Sequence, residues 1–279
     1  MILESLRHIP KDKNRWVHLS ELGFFGAPDS TTKNLIKSLL PDIAEIDAGL
    51  AMSIYCHCAA VEILGVEKSK KCLKEGDCLA FCPGSFGGSV WLTDQAKFAL
   101  VPFKNKNTYI LIDLRNGVEK IPSPQRLAFR NVNLMDILFD ERNGEIIEKK
   151  SNSHLGMMCG VLVGHMRRML RLAEGYAGSR IQGGRKISQW SELKRILADL
   201  KMKMYVAEEL LSGSQISSLF FLQSQIGAFA SDCLQVFGGA GYIKDFEIER
   251  LFREAHYLSS ILGNPIVNRL EWYDGLVKV

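Results

Sequence analysis

QVFGGAGYIKDFEIERLFREAHYLSSILGNP, residues 235–265, decides how this chain is read. A helix-forming run, QSQIGAFASDCLQVF, leads into it and stops at two adjacent glycines, Gly238 and Gly239. Without side chains, such a pair either turns tightly between helices or lets the backbone approach a ligand. A second helical segment follows and ends at Leu262-Gly263-Asn264. Leu262 has no lone pair; it can pack, but it cannot accept a proton.

Working outward, the whole stretch 150–279 reads as helix. In SELKRILADLKMKMYVAEELL (191–211) the apolar positions Leu193, Ile196, Leu197, Leu200, Met204, Ala207 and Leu211 form one stripe. Met202 and Tyr205 lie beside that stripe or broaden it. Residues 79–149 change character. VWLT (90–93), FALVPF (98–103), TYILIDL (108–114) and LAFRNVNLMDILF (127–139) are short and rich in β-branched and aromatic residues, and turn signals separate them. Residues 1–78 return to helical spacing, with Pro41 and Gly49 expected to break the run at 33–64 into pieces. The expected fold is α+β: N-terminal helices (1–78), a reduced antiparallel β-domain (79–149) and a C-terminal antiparallel helical bundle (150–279).

Composition sets the outer limits. The chain has 279 residues, 47% of them hydrophobic, and a net charge of +4, as in an ordinary globular protein. The densest basic runs, KSKKCLK (68–74) and RRMLR (167–171), carry no interleaved aromatic groove, so they read as solvated helix faces rather than a nucleic-acid footprint. No apolar run is long enough for a membrane span, and MILESLRHIPKDKNRW lacks a signal-peptide core. Seven cysteines, an odd number, fit reduced thiols and a cytoplasmic setting. Cys72, Cys78 and Cys82 with His57 do not have the spacing of a tight metal knuckle, and no metal is expected.

The motifs together resemble those of the acyl-CoA dehydrogenases. YAGSRIQGG (176–184) is similar to that family's Y-A-x-x-R-x-x-F-G, and QVFGGAGY to its Q-x-x-G-G-x-G-[YF]. REA (253–255) resembles its R-[DE]-A helix, SELGFFG (20–26) its L-x-x-L-G turn, and EIDAGLAMSIYCHC (45–58) its A-x-x-D segment. VWLT resembles the flavin-facing W-I-T strand. The resemblance implies an FAD flavoprotein of fatty acid metabolism, an oxidoreductase that desaturates acyl-CoA or acyl-carrier thioesters. It also implies an oligomer, homomeric or built with a homologous subunit. Arg180, Gln235, Gly238 and Gly239 would meet the diphosphate and adenosine of FAD, partly across a subunit interface. Trp91 and Thr93 would flank the isoalloxazine ring.

Departures from the family pattern shape the functional expectation. The first domain and the sheet are short, and CLAFCPGSFGG (78–88) stands where T-E-P…G-S-D is expected. Gly183 and Ser191 replace a phenylalanine and a glutamine. The usual catalytic glutamate falls on Leu262. The minority alternative, on the helix that opens the last domain, falls on His154, whose imidazole has an ordinary pKa of about 6.5; His154 equally reads as a residue near a helix cap. The leading expectation is an impaired or non-catalytic subunit paired with a catalytic homologue. Two alternatives stand beside it: an active dehydrogenase with a different base, and a scaffold that binds no flavin.

Overall fold

The computed structural model describes residues 2–7, 15–74, 76–84, 89–92, 94, 96–122, 126–149, 152–213 and 216–277. Five helices come first: α1 (Ile2–Arg7), α2 (Arg15–Glu21), α3 (Ser30–Ile46), α4 (Ala48–Leu64) and α5 (Val66–Cys72). Asp47 both ends and begins a helix. Its N–H donates to the Ile43 carbonyl, 2.8 Å away, and its carboxylate accepts from the Leu50 N–H, 3.0 Å away. The break therefore lies at Asp47. Pro41 does not break the run, as its spacing suggested, but sits inside α3. Tertiary packing outweighs its local cost: the proline lies against Gly160 and Gly164 of the long helix described below.

Seven strands follow: β1 (Leu79–Phe81), β2 (Val90–Trp91), β3 (Phe98–Phe103), β4 (Asn105–Asp113), β5 (Val118–Pro122), β6 (Leu134–Phe139) and β7 (Gly144–Glu148). They form one sheet in the order β5-β6-β2-β1-β3-β4-β7. Every neighbouring pair is antiparallel except β1 and β3, which run parallel with Leu79 opposite Phe98. β1, β5 and β7 carry little strand signal in the sequence, being short or polar on one face. The segment LAFRNVN, expected as strand, is a turn that carries Phe129 at φ 51°, and pairing starts only at Leu134.

The remaining chain is helical. α6 (Leu155–Ser179) is followed by a small hairpin, β8 (Ile181–Gln182) and β9 (Arg185–Lys186). Then come α7 (Ser191–Gly213), α8 (Ile216–Phe237), a 3-10 turn at Gly238–Tyr242, α9 (Ile248–Ser260) and α10 (Pro265–Val277). α6 is the axis of the molecule and packs against α3, α4, α7, α8 and α9. Glycine makes the close approach to α3 possible. A Cβ on Gly164 would overlap the Pro41 carbonyl and come within 2.7 Å of the Ala44 methyl. Leu200, Met204 and Ala207 of the α7 stripe are buried as expected, while Met202 and Tyr205 are exposed. No single helix among the described residues is long and apolar enough to cross a membrane.

Candidate functional site

Four of the residues singled out in the sequence line one groove. Arg180 is the C-cap of α6; its N–H donates to the Tyr176 carbonyl and its own carbonyl accepts from Ile187, both at 2.9 Å. That second bond folds the β8–β9 hairpin back beside the helix end. Gln235 lies in the last turn of α8, and Gly238 and Gly239 open the 3-10 turn that follows. All four are exposed and border a groove of about 1220 Å³. Gly238 has φ 55°, a left-handed backbone, and a Cβ on either glycine would meet nothing within 4 Å. The backbone is thus open to an incoming group. Among the described residues Arg180 has no carboxylate within ion-pair reach, so its guanidinium is not spent on a local salt bridge.

Aromatic side chains give this groove its walls. Tyr176 stacks on Phe237 at 4.3 Å and 18°, with Phe246 edge-on to both. Trp190 carries the Arg185 guanidinium over its face at 3.7 Å. Gly183, found where the resemblance led us to expect phenylalanine, has φ 59°, and a Cβ there would touch the Trp190 ring at 3.0 Å. The hairpin therefore needs glycine at this point. Tyr176 was visible in the sequence as part of YAGSR, whereas Trp190 carried no signal.

A second, smaller cavity of about 190 Å³ reaches in from the surface between the sheet and the C-terminal helices. Leu262 and His154, located in the sequence by separate motif counts, both line it, together with Tyr55, Phe81, Tyr109 and Phe220. Leu262 is buried, and its carbonyl accepts from Asn268 Nδ2 at 3.3 Å. His154 occupies the N-cap of α6 but makes no capping bond, and it is only 3% exposed. Burial pushes its imidazole down to about 4, and Glu62, 3.9 Å away, offsets this only in part. Glu62 is itself held by Lys33 and Ser153. An imidazolium is disfavoured in this position, which runs against His154 as a base. The Tyr55 hydroxyl, fully buried, has no hydrogen-bond partner among the described residues. It lies within an apolar helix and carried no signal in the sequence.

Trp91 is fully buried on β2, opposite Phe81 on one side and Leu134 on the other. Phe129 meets its ring edge-on at 5.4 Å, and Tyr257 lies at 6.3 Å. Thr93 lies outside the described residues. His57 is committed to the fold: Nε2 pairs with the Gly26 carbonyl at 2.8 Å and Nδ1 accepts from the Leu79 N–H at 3.1 Å.

No family model matches this chain. Over 208 residues, 64% of the chain, it is 26% identical to the very long-chain specific acyl-CoA dehydrogenase of Macaca fascicularis mitochondria. Over 117 residues, 39% of the chain, it is 28% identical to the acyl-CoA dehydrogenase IpdE2 of Mycolicibacterium smegmatis. The matches span 31% and 38% of those two proteins, so the chain covers well under half the length of the curated relatives it matches. Among solved structures, butyryl-CoA dehydrogenase from Megasphaera elsdenii superposes with a TM-score of 0.77 at 17% identity, covering 96% of this chain and 90% of that one. The shared architecture shows that this chain has the acyl-CoA dehydrogenase fold.

Proposed function

We propose that this chain is a non-catalytic or impaired subunit of an acyl-CoA dehydrogenase-like flavoprotein, acting beside a catalytic homologue in the α,β-dehydrogenation of acyl thioesters. One observation carries the reading. The residues expected at the phosphate end of FAD converge on an open groove, while the position where the resemblance implies a base carries a buried leucine, Leu262. Arginine offers a bidentate fork to a diphosphate, and the bare backbone at Gly238 and Gly239 allows close approach. These groups fit the nucleotide end of FAD.

The two positions expected for the base do not offer matching chemistry. α,β-Desaturation requires a group that takes the α-proton within hydrogen-bond reach. Leu262 has no such group, and the burial that keeps His154 neutral also opposes its protonation. Trp91 does not fit its expected place beside the flavin ring either, since aromatic side chains of this same chain lie against it. The reaction is therefore assigned to the assembly and not to this chain.

The test is the flavin content of the protein purified alone and after co-expression with a full-length acyl-CoA dehydrogenase homologue from the same genome. Flavin in excess of the homologue's own content, lost with Arg180→Ala, is expected only in the mixed preparation. Colourless protein in both preparations, with no co-purification, would leave the non-flavin scaffold as the better reading.

A further inference from the structure

We infer that this chain takes only the nucleoside diphosphate end of a flavin dinucleotide, and that its own Phe129 and Tyr257 fill the space a flavin ring would need beside Trp91. The inference rests on the proposed assignment of the groove to a dinucleotide and adds which half of that ligand is bound. Three features, all meeting at the turn that carries Phe129, support it.

The first is the ring stack. Phe129 lies edge-on to both Trp91 and Tyr257, at 5.4 Å in each case, and Tyr257 approaches Trp91 at 6.3 Å. Trp91 has no accessible surface and Phe129 only 1%. An isoalloxazine ring needs a flat apolar face, and this indole offers none. The second is the backbone of Phe129. A bulky residue at φ 51° occupies a strained left-handed conformation that persists only where its surroundings hold it. The third is the packing opposite. Gly49, in the first turn of α4, faces this turn, and a Cβ there would reach Val132 Cγ1 at 2.7 Å and Phe129 Cδ1 at 3.5 Å. A helix-weakening glycine thus makes room for the turn that carries the plug.

The groove and the stack are also separate places. None of Trp91, Phe129 and Tyr257 lines the groove that Arg180 borders. A dinucleotide held at Arg180 therefore presents its ring away from this chain's own Trp91, to solvent or to a neighbouring subunit.

Titration of the full chain with ADP, FAD and riboflavin, followed by calorimetry and flavin fluorescence, tests this. ADP and FAD are expected to bind with affinities within about threefold of each other, and riboflavin is expected not to bind. Free FAD is dim because its ring folds onto its adenine. Held by the adenosine diphosphate end with the ring in water, it should brighten. Arg180→Ala should weaken ADP and FAD alike, by about tenfold or more. Riboflavin binding with quenched emission, or FAD binding about a hundredfold tighter than ADP, would overturn the inference. Failure of both ADP and FAD to bind would overturn it too. The proposed function would outlast that last result if flavin were retained with the co-expressed homologue, because the partner would then complete the site.

Discussion

The groove at the end of α6 and the cavity around Leu262 differ in what they preserve. In the groove, Arg180 and Gln235 stay exposed and two glycines leave the backbone bare. Around the cavity, Lys149, Asn152 and Glu271 stand beside the aromatic walls and the neutral His154, and at β2 the Trp91 ring is enclosed by Phe129 and Tyr257. One region leaves a guanidinium and bare backbone open to an incoming group, and in the other the Trp91 ring is covered by side chains of the same chain. The two regions should respond oppositely to perturbation.

Acid gives the largest contrast. His57, His154 and His165 are buried, and desolvation pushes each imidazole down to about 4. A histidine whose pKa is depressed by folding stabilises the native state above its unfolded pKa of about 6.5, and this stability is lost as pH falls toward 4. With three such groups the loss can reach roughly 4 kcal/mol per pH unit at its steepest. Urea midpoints measured at pH 7.5, 6 and 5 should fall accordingly, whereas ADP affinity, read on the folded protein, should vary far less. A stability profile flat across that range would show that water reaches these imidazoles.

Catalysis is the next contrast. A positioned general base contributes about 10²–10⁴-fold to a proton abstraction. The isolated chain, reconstituted with FAD, should therefore show no anaerobic flavin bleaching with short, branched or bulky acyl-CoAs. Leu262→Glu should not restore it, because the Trp91 stack leaves the ring without a place. Bleaching by the variant would show that only the base had been lost; rapid bleaching by the wild type would end the distinction between the two regions.

Glycine substitutions sharpen the comparison at smaller cost. Gly164→Ala should destabilise by about 3 kcal/mol, since the added methyl collides with backbone at Pro41 and neither helix can move without opening the core. Gly239→Ala meets open space and should stay within about 0.5 kcal/mol. Equal losses in denaturant titrations would contradict this division of roles.

The smallest expected effect concerns Glu254. Burial, helped by Asp47 and Glu247, raises its carboxyl to about 7 against the pull of Arg250, whose Nη1 lies 3.0 Å away. A carboxyl raised in this way stabilises the fold at low pH, and that contribution is lost as pH rises from its ordinary range through 7. Relative to wild type, Glu254→Gln should gain on the order of 2 kcal/mol between pH 5 and pH 8. No change in the difference would place the Glu254 carboxyl in its ordinary range.

How far the sequence was legible follows the range of the forces involved. The stripe at Leu200, Met204 and Ala207, the glycine pair after QVF and the helix start near His154 are local patterns, set by helical period and backbone freedom. Those patterns suffice to place α6, α7 and α8; it is the resemblance to the family's motifs that singles out Arg180, Gln235, Gly238 and Gly239. Counting along motifs also leads from two distant segments to Leu262 and His154, which line one cavity. Other features depended on partners distant in sequence. Pro41 survives inside α3 because Gly160 and Gly164 make room for it. Phe129 reads as strand, and only the packing against Gly49, Trp91 and Tyr257 makes it a turn residue. His154 looks like a cap, and only burial beside Glu62 makes it neutral. Local chemistry in the chain determined its helices and its open edge; which groups were desolvated, and which space was already filled, was decided by contacts that form only when distant segments meet.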